Sequence, residues 1–168
     1  ISPDILCTAK GFTGGMMPMS ATLTTRRIFE GFFGGGGRAF FYGHTFTGNP
    51  LGAAIALEVL RVYEEECVLE RAAVKAERIR AAFASFANLP GVLTTRSLGM
   101  IGVLELQGRQ NYLERGGLRV YHEALRRGAY LRPMGNVVYI TPPLNITDTD
   151  LEELLGIVEG SVRSVTSS

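Results

Sequence analysis

The spacing of hydrophobic residues predicts two consecutive helices in the middle of the chain. Residues 51–66 are apolar on nearly every side at first, so this helix is expected to begin in a buried position. Over residues 68–86, apolar positions recur at helical spacing and charged residues take the other faces, which predicts a second long helix. Its buried face is predicted to consist of Leu69, Ala72, Ala76, Ile79, Phe83 and Phe86. Its solvent-facing positions are predicted to be Arg71, Lys75, Arg78 and Arg80.

Shorter patterns on both sides of these helices predict strands and further helices. Before them, strands are predicted at residues 5–7, 21–25 and 38–42, with a short helix over residues 26–33. After the Leu89-Pro90-Gly91 stop, a smaller α+β unit is predicted. Its strands are expected at residues 93–97, 100–106, 130–131 and 137–140, and its helices at residues 118–127, before Gly128, and after a Thr147 cap. The apolar side of the last helix would be formed by Leu151, Leu154, Leu155, Val158 and Val162.

Composition and charge exclude several classes of function. The 168 residues are 46% hydrophobic and 20% charged, as in a globular protein with a core, and the net charge of +1 does not suggest nucleic acid or an acidic membrane as partner. Cys7 and Cys67 have no metal-ligand spacing and only two histidines are present, so no zinc site is expected. A reducing, cytoplasmic compartment is expected. No run reaches the length of a membrane span. The chain begins without Met, and we expect a fragment of a longer protein.

Lys10 is the first residue that points to chemistry. It follows the apolar run Ile5-Leu6-Cys7 at the end of a predicted buried strand, and Gly11, Gly14 and Gly15 then interrupt regular structure. Loss of solvation lowers the pKa of an ammonium group, and a neutral amine can form a Schiff base with a carbonyl compound or an aldehyde cofactor. The alternative is an ordinary surface lysine at a strand end.

Residues 42–50 place small and turn-forming residues directly before the first long helix. Pro50 suits the first helical turn, and Asn49 or Thr47 could cap it. Backbone amides and a threonine hydroxyl at such a position can hold an anion such as a phosphate, and the alternative is a capped helix without a ligand. The four glycines at residues 34–37 could also hold a phosphate, but no Lys-Ser or Lys-Thr follows them, so a linker is favoured.

Arg132 closes a predicted strand at the rigid Pro133-Met134-Gly135-Asn136 turn. A guanidinium held at such a turn is suited to bidentate contact with a carboxylate, and Tyr139 on the next strand could face the same space. The alternative for Arg132 is a surface ion pair.

Together these residues resemble the C-terminal part of the class III pyridoxal-phosphate-dependent aminotransferases. The resemblance follows the whole chain in order, through Pro3-Asp4-Ile5-Leu6 with Lys10, then Gly14-Gly15, then residues 43–51 and 131–143. It implies an α/β fold of fold type I, with residues 1–88 as the end of the large cofactor-binding domain and residues 89–168 as the small C-terminal α+β domain. Within the class, residues 131–143 favour the members that transfer an amino group from S-adenosylmethionine to 8-amino-7-oxononanoate in biotin biosynthesis.

The resemblance also implies a role for each site residue. Lys10 forms the internal aldimine with pyridoxal 5'-phosphate and then carries the proton. Thr45 and the backbone of His44 hold the cofactor phosphate in the neighbouring subunit of a homodimer. Gly43 lies against the substrate, Arg132 binds the carboxylate of the keto acid, and Tyr139 lines the same pocket.

Two alternatives to this assignment stay open. The chain could belong to another class III ω-aminotransferase, of the 4-aminobutyrate or ornithine type, although residues 131–143 argue against it. It could also be a catalytically incomplete fragment, because the family's aspartate at the pyridine nitrogen lies on an earlier strand. Asp4 is too close to Lys10 on the same strand to replace that aspartate.

Overall fold

The computed structural model describes residues 2–108 and 116–166, so Ile1 and Ser168, at the outer limits of the two predicted domains, lie outside the described residues. The chain forms two compact units, Ile1–Glu66 and Cys67–Ser168. The division falls earlier than the predicted boundary near Leu89, because the helix Val68–Phe86 packs on the sheet of the second unit. The assignment of the two predicted domains to a large and a small domain stays a prediction.

The first unit contains one small sheet and two helices. Strand β1 (Ile5–Ala9) pairs antiparallel with β2 (Ser20–Thr24), so that Ile5 lies opposite Thr24 and Ala9 lies opposite Ser20. Helix α1 spans Arg26–Glu30 and helix α2 spans Pro50–Glu65. The strand predicted at residues 21–25 and the helices predicted at residues 26–33 and 51–66 are therefore confirmed, although α1 is shorter than predicted.

The strand predicted at residues 38–42 is wrong. These residues have no regular secondary structure, and their side chains are exposed. Aromatic residues favour strands, but a strand also needs a partner to receive its backbone hydrogen bonds. The four glycines before this segment lie in irregular backbone, and Gly34 and Gly35 adopt φ angles of 108° and 113° that favour glycine.

Helix α2 does not begin buried. Leu51 is 65% exposed, and Leu57 is 69% exposed, whereas Gly52 and Ala56 are its buried residues. The small residues face the turn after β1, where Met17 and Met19 lie against Gly52. The larger apolar side chains of α2 remain accessible in the described chain, so the prediction of a buried start is wrong.

The second unit is an antiparallel sheet covered by helices. Its strands are β3 (Val92–Leu98), β4 (Ile101–Leu106) and β5 (Val137–Ile140), in the order β3-β4-β5. Its helices are α3 (Val68–Phe86), α4 (Gly116–Arg126) and α5 (Asp148–Thr166). These elements confirm the predicted α+β unit, except that residues 130–131 form no strand, since Leu131 is buried as irregular backbone.

The hydrophobic core lies within the second unit. The apolar side of α5 follows the prediction, and the Thr147 hydroxyl accepts a hydrogen bond from the Asp150 amide at 3.0 Å, as a cap should. The fully buried members of the core with at most 2% exposure are Ile79, Phe83, Leu104, Val120, Ala124, Leu131, Val138, Leu151, Val158 and Val162. Gly102 lies so close to the Phe83 ring that a Cβ there would be 2.3 Å from it, so the ring packs directly on β4.

Helix α3 departs from the predicted faces at two positions. Leu69 is 60% exposed, and Lys75 is only 4% exposed. Lys75 lies on the inward side of the helix with Ala72 and Ile79, and its Nζ donates to the Leu144 carbonyl at 3.4 Å. A long lysine side chain can cover apolar surface while its amine reaches a polar partner, which periodicity alone does not reveal.

Cys7 and Cys67 are free and exposed, and no cluster of metal-ligating side chains is found among residues 2–108 and 116–166. None of the helices in those ranges is sufficiently long and apolar to cross a membrane.

Candidate active site

Lys10 follows β1 in a backbone conformation that side chains rarely adopt. Its φ is 61° and its ψ is −80°, and it precedes a short 3-10 helix, Gly11–Thr13. Such a conformation costs roughly 1–3 kcal/mol and persists only where the surrounding structure imposes it, often at active sites. The strained backbone therefore supports a functional role for Lys10 rather than an ordinary strand end.

The Lys10 side chain is exposed, and it forms no hydrogen bond or ion pair with any residue that the structure describes. The expectation of a buried strand that desolvates this amine is wrong for the described chain. Four of the five residues of β1 are exposed, and Thr8 alone in this strand is partly buried. The amine is consequently accessible to a carbonyl compound.

The turn after Lys10 is held by Thr13, which the sequence analysis did not select. Thr13 is completely buried, and its hydroxyl lies 3.1 Å from the Lys10 carbonyl and 2.8 Å from the Met17 carbonyl. The Thr13 amide also donates to the Lys10 carbonyl, at 3.2 Å. A threonine three residues after a candidate lysine is the only signal in the sequence, since such hydroxyls often bond nearby carbonyls.

The loop before α2 is ordered by its own side chains. The His44 amide donates to Thr47 Oγ1 at 2.9 Å, and the Phe46 amide donates to His44 Nδ1 at 3.1 Å. Asn49 is the cap of α2, because its Oδ1 accepts from the Leu51 amide at 3.1 Å, and Pro50 begins the helix as predicted.

Thr45 is the group in this loop that remains available to a ligand. Its side chain is exposed, and neither its amide nor its hydroxyl has a hydrogen-bond partner among the described residues. The His44 amide, in contrast, already donates to Thr47 Oγ1. A Cβ built at Gly43 would lie only 3.3 Å from the same oxygen. An anion at this loop would therefore meet Thr45 first.

Arg132 and Tyr139 are brought together at one cavity of about 370 Å³ in the second unit. The two residues converge because the backbone of Met134 and Val137 closes a tight turn with hydrogen bonds of 2.8 and 3.0 Å. Gly135 takes a φ of 62° in that turn. The cavity is lined by Tyr130, Leu131, Arg132, Tyr139, Ile140, Thr141, Pro142, Pro143, Ile146 and Leu154.

The Arg132 guanidinium carries no ion pair within the part of the chain that the structure describes. The alternative interpretation, in which Arg132 forms a surface ion pair, therefore has no acidic partner among the described residues. An arginine beside a tyrosine in a mostly apolar cavity offers a fork of donors to a planar anion, and a carboxylate matches that fork.

The predicted site residues fall into two groups. Lys10, Gly43, His44 and Thr45 belong to the first unit, and Arg132 and Tyr139 belong to the second. No hydrogen bond or ion pair joins Lys10 to the loop at residues 43–45 within the described chain. Asp4 accepts a hydrogen bond from Arg27 at 3.3 Å.

Comparison with known proteins identifies the family of this chain. The family model Aminotransferase class-III matches residues 1–162. The chain belongs to the class III aminotransferases. This family depends on pyridoxal 5'-phosphate, and the predicted fold type I of the pyridoxal-phosphate-dependent transferases is confirmed.

Individual class III aminotransferases resemble the chain over nearly its whole length. The adenosylmethionine-8-amino-7-oxononanoate aminotransferase of Nitratidesulfovibrio vulgaris is 45% identical over 99% of this chain and 32% of that protein. The putrescine–pyruvate aminotransferase of Pseudomonas aeruginosa is 33% identical over 92% of this chain and 35% of that protein. A crystal structure of the adenosylmethionine-8-amino-7-oxononanoate aminotransferase from Methanocaldococcus jannaschii matches with a TM-score of 0.88 and 34% identity, over 97% of this chain and 39% of that one. The chain thus spans about a third of the length of these class III aminotransferases.

Proposed function

We propose that this chain is the lysine-bearing part of an adenosylmethionine-8-amino-7-oxononanoate aminotransferase. That enzyme transfers an amino group from S-adenosylmethionine to 8-amino-7-oxononanoate and yields 7,8-diaminononanoate for biotin. The observation that carries the proposal is the cavity where Arg132, without an ion pair among the described residues, stands beside Tyr139. The name of the relative from Nitratidesulfovibrio vulgaris agrees with this choice.

The residues of the first unit fit pyridoxal 5'-phosphate. Lys10 offers an exposed amine on a strained backbone, and Thr45 offers an amide and a hydroxyl that no described residue occupies. When bound, the cofactor supplies an aldehyde for the amine and a ring that stabilises negative charge on the substrate carbon. Lys10 would hold it covalently and would afterwards accept and return a proton at Nζ.

Thr45 would hold the cofactor phosphate, and the His44 backbone amide would join it by exchanging its hydrogen bond to Thr47 Oγ1 for one to the phosphate, with Gly43 against the substrate. Backbone amides and a hydroxyl near the start of a helix favour an anion, since the helix dipole is positive there. We propose that this loop serves the partner subunit of a homodimer, so that each cofactor is held by two chains. Free exposure of Thr45 in the described chain is compatible with this arrangement.

Arg132 would bind the carboxylate of 8-amino-7-oxononanoate. Arg132 is exposed in the described chain, so solvent screening would keep this contact at the lower end of the roughly 1.5–3 kcal/mol that a charge-assisted hydrogen bond contributes. Tyr139 would line the same cavity and bound the space left for the acyl chain. The first unit would then correspond to the end of the large domain and the second to the small domain, in a cytoplasmic enzyme.

A second class of substrate remains a candidate. The putrescine–pyruvate aminotransferase of Pseudomonas aeruginosa is also similar over most of the chain. Members that act on other ω-amines would need a different arrangement at the Arg132 cavity. A catalytically incomplete fragment is the third candidate, since the chain spans about a third of the length of the class III aminotransferases that it resembles.

The test of the proposed function uses the full-length protein. Borohydride reduction followed by digestion should place the pyridoxyl mass on the peptide that contains Lys10. In single-turnover absorbance measurements, S-adenosylmethionine should convert the cofactor, whereas putrescine, 4-aminobutyrate and ornithine should not. A pyridoxyl mass on another peptide contradicts the role of Lys10. Rapid reaction with putrescine, 4-aminobutyrate or ornithine, and none with S-adenosylmethionine, would be consistent with the family but would overturn S-adenosylmethionine as the proposed amino donor.

A further inference from the structure

Thr13 is the only side chain of the first unit, among its described residues, that is buried and polar. It has no exposed surface, although most of the residues around it in the sequence are accessible. A buried hydroxyl is retained in a protein when it satisfies a specific partner. Its partners therefore indicate what this threonine does.

Both donors of Thr13 are directed at the turn that contains Lys10. The amide donates to the Lys10 carbonyl, and the hydroxyl lies within hydrogen-bond distance of the Lys10 and Met17 carbonyls. The hydroxyl has one hydrogen, so the two carbonyls share a single donor. Thr13 thereby joins Lys10, at which the turn begins, to Met17, two residues after Gly15.

These hydrogen bonds hold Lys10, which with Cys67 is one of the two described non-glycine residues that have a positive φ. Lys10 holds a φ of 61° without a cap from its own side chain, and a non-glycine residue reaches that region only under constraint from its surroundings. Gly14 next adopts a φ of 59°, with only 3.3 Å between its Cβ position and Val59 of α2. The turn is thus held between α2 on one side and Thr13 on the other.

We propose that Thr13 is a positioning residue that fixes the Lys10 backbone and so sets the direction in which the lysine amine is presented. The inference rests on the proposed function, in which Lys10 carries the cofactor. A displacement of about 1 Å in a reacting group can lower a rate by roughly a hundredfold, so a hydroxyl that touches no substrate can control the lysine.

The test compares Thr13→Val with Thr13→Ser in the full-length protein. Valine keeps the branched shape and removes the hydroxyl, whereas serine keeps the hydroxyl. Ser161→Ala is the matched control, because Ser161 is also fully buried and its hydroxyl donates to a carbonyl, that of Ile157, at 2.6 Å in the second unit. Each cofactor-free protein is mixed with pyridoxal 5'-phosphate, and borohydride samples taken over time give the rate of attachment to Lys10. Visible circular dichroism of the bound cofactor reports its orientation.

We expect Thr13→Val to attach the cofactor about 10- to 100-fold more slowly and to weaken the visible dichroism. Thr13→Ser should restore both readouts. Ser161→Ala should lower the melting temperature and change neither. Equal attachment rates and equal dichroism in Thr13→Val and the unaltered protein would overturn the positioning role. Absence of attachment to Lys10 in the unaltered protein would instead overturn the proposed function.

A second variant keeps the test decisive if Thr13→Val does not fold. Thr13→Cys replaces the hydroxyl with a thiol, which is a weaker donor of similar size. It should attach the cofactor more slowly than the unaltered protein and than Thr13→Ser. A rate equal to that of the unaltered protein would contradict the inference.

Discussion

At the scale of single residues, Arg132 is defined by the rigidity of the backbone that presents it. Pro133 follows directly, and two backbone hydrogen bonds between Met134 and Val137 close the turn. Arginine loses side-chain entropy when it is fixed, and a rigid backbone limits the further loss on binding. A guanidinium on this turn can therefore bind an anion more strongly than one on a mobile loop.

Arg132→Ala is expected to weaken the keto-acid half-reaction by about one decade, which corresponds to the loss of a charged hydrogen bond at a solvent-exposed arginine. The half-reaction with S-adenosylmethionine should change much less, because that donor need not be held by the same contact. Single-turnover kinetics of each half-reaction, followed by cofactor absorbance, measure both. Arg132→Lys keeps the charge but loses the bidentate geometry of the guanidinium, so it should weaken the keto-acid half-reaction less than Arg132→Ala does. Equal losses in both halves would assign the arginine to structure or to both substrates.

Glu123 on α4 provides a pH-dependent contribution to stability. Its carboxylate accepts hydrogen bonds from Arg126 and Arg127. These bonds, with the larger effect from Arg126, hold the pKa of Glu123 below its usual value. A carboxylate with a lowered pKa in the folded state stabilises the fold at pH values above its unfolded pKa of about 4.3. That stabilisation is lost as the pH falls through the lower, folded pKa.

Glu123→Gln should therefore destabilise the protein at pH 7, and this difference from the unaltered protein should shrink towards pH 3. Urea unfolding at a series of pH values measures it. Glu153→Gln on α5 is the control, because Glu153 is exposed and forms no ion pair with a described residue. Its replacement should change the free energy of unfolding little at pH 3 or at pH 7. A destabilisation that is the same at pH 3 and pH 7 would contradict the linkage to Glu123.

At the scale of elements, α4 supports the turn next to Arg132 through a glycine. The Gly117 amide donates to the Gly135 carbonyl at 3.1 Å. A Cβ at Gly117 would lie 2.4 Å from that carbonyl oxygen and 3.0 Å from Pro133 Cβ. The helix and the turn can approach so closely only because the side chain is missing.

Gly117→Ala is expected to cost roughly 1–3 kcal/mol of unfolding free energy, since overpacking forces backbone to move. It should also raise the KM for the keto acid, as the turn shifts. Gly156→Ala in α5 is the matched control, because nothing lies within 4 Å of a Cβ there. That change should stabilise the helix by up to about 1 kcal/mol. Similar effects of the two substitutions on unfolding would show that the close approach is unimportant.

The elements also show where sequence patterns suffice and where they fail. Helix α3 agrees with the predicted limits, because helical periodicity and the stop after Phe86 are local signals. The strands predicted at residues 38–42 and 130–131 were wrong, because a strand requires a partner that its own residues do not specify.

The candidate site follows the same rule. Convergence of Arg132 and Tyr139 on one cavity was predictable, because a short turn joins two neighbouring segments. Thr13 was missed, because its role depends on the φ of Lys10, and no residue pattern around a lysine predicts that angle. The exposure of Lys10 was missed for a related reason, since burial depends on the elements that cover a strand.

At the scale of the whole molecule, the two units differ in how much they bury. Among the described residues of the first unit, only Thr13, Gly52 and Ala56 are buried. The hydrophobic core of the described chain lies in the second unit. The first unit therefore depends on further contacts for stability, and we expect the isolated 168-residue chain to be poorly soluble.

A shared active site can be tested with two inactive variants of the full-length protein. Lys10→Ala removes the amine, and Thr45→Ala removes the phosphate contact proposed for the partner subunit. In a randomly mixed population, half of the dimers contain one of each chain, and each of these has one intact site. Activity should thus recover to about a quarter of the unaltered level in a two-fold symmetric dimer. Each variant mixed with itself is the control, and a mixture that stays inactive contradicts sharing of the site.

The exposed aromatic residues of the first unit also have a consequence for synthesis. Phe40, Phe41 and Tyr42 are 70–87% exposed, and they precede the whole second unit in the chain. Ribosomes add about 5–20 residues per second, so completing the second unit takes roughly 5–20 s after the first has emerged. During that interval the nascent chain displays these rings before the core of the second unit has been made. Chaperones that hold apolar segments can therefore bind these rings before the second unit is complete.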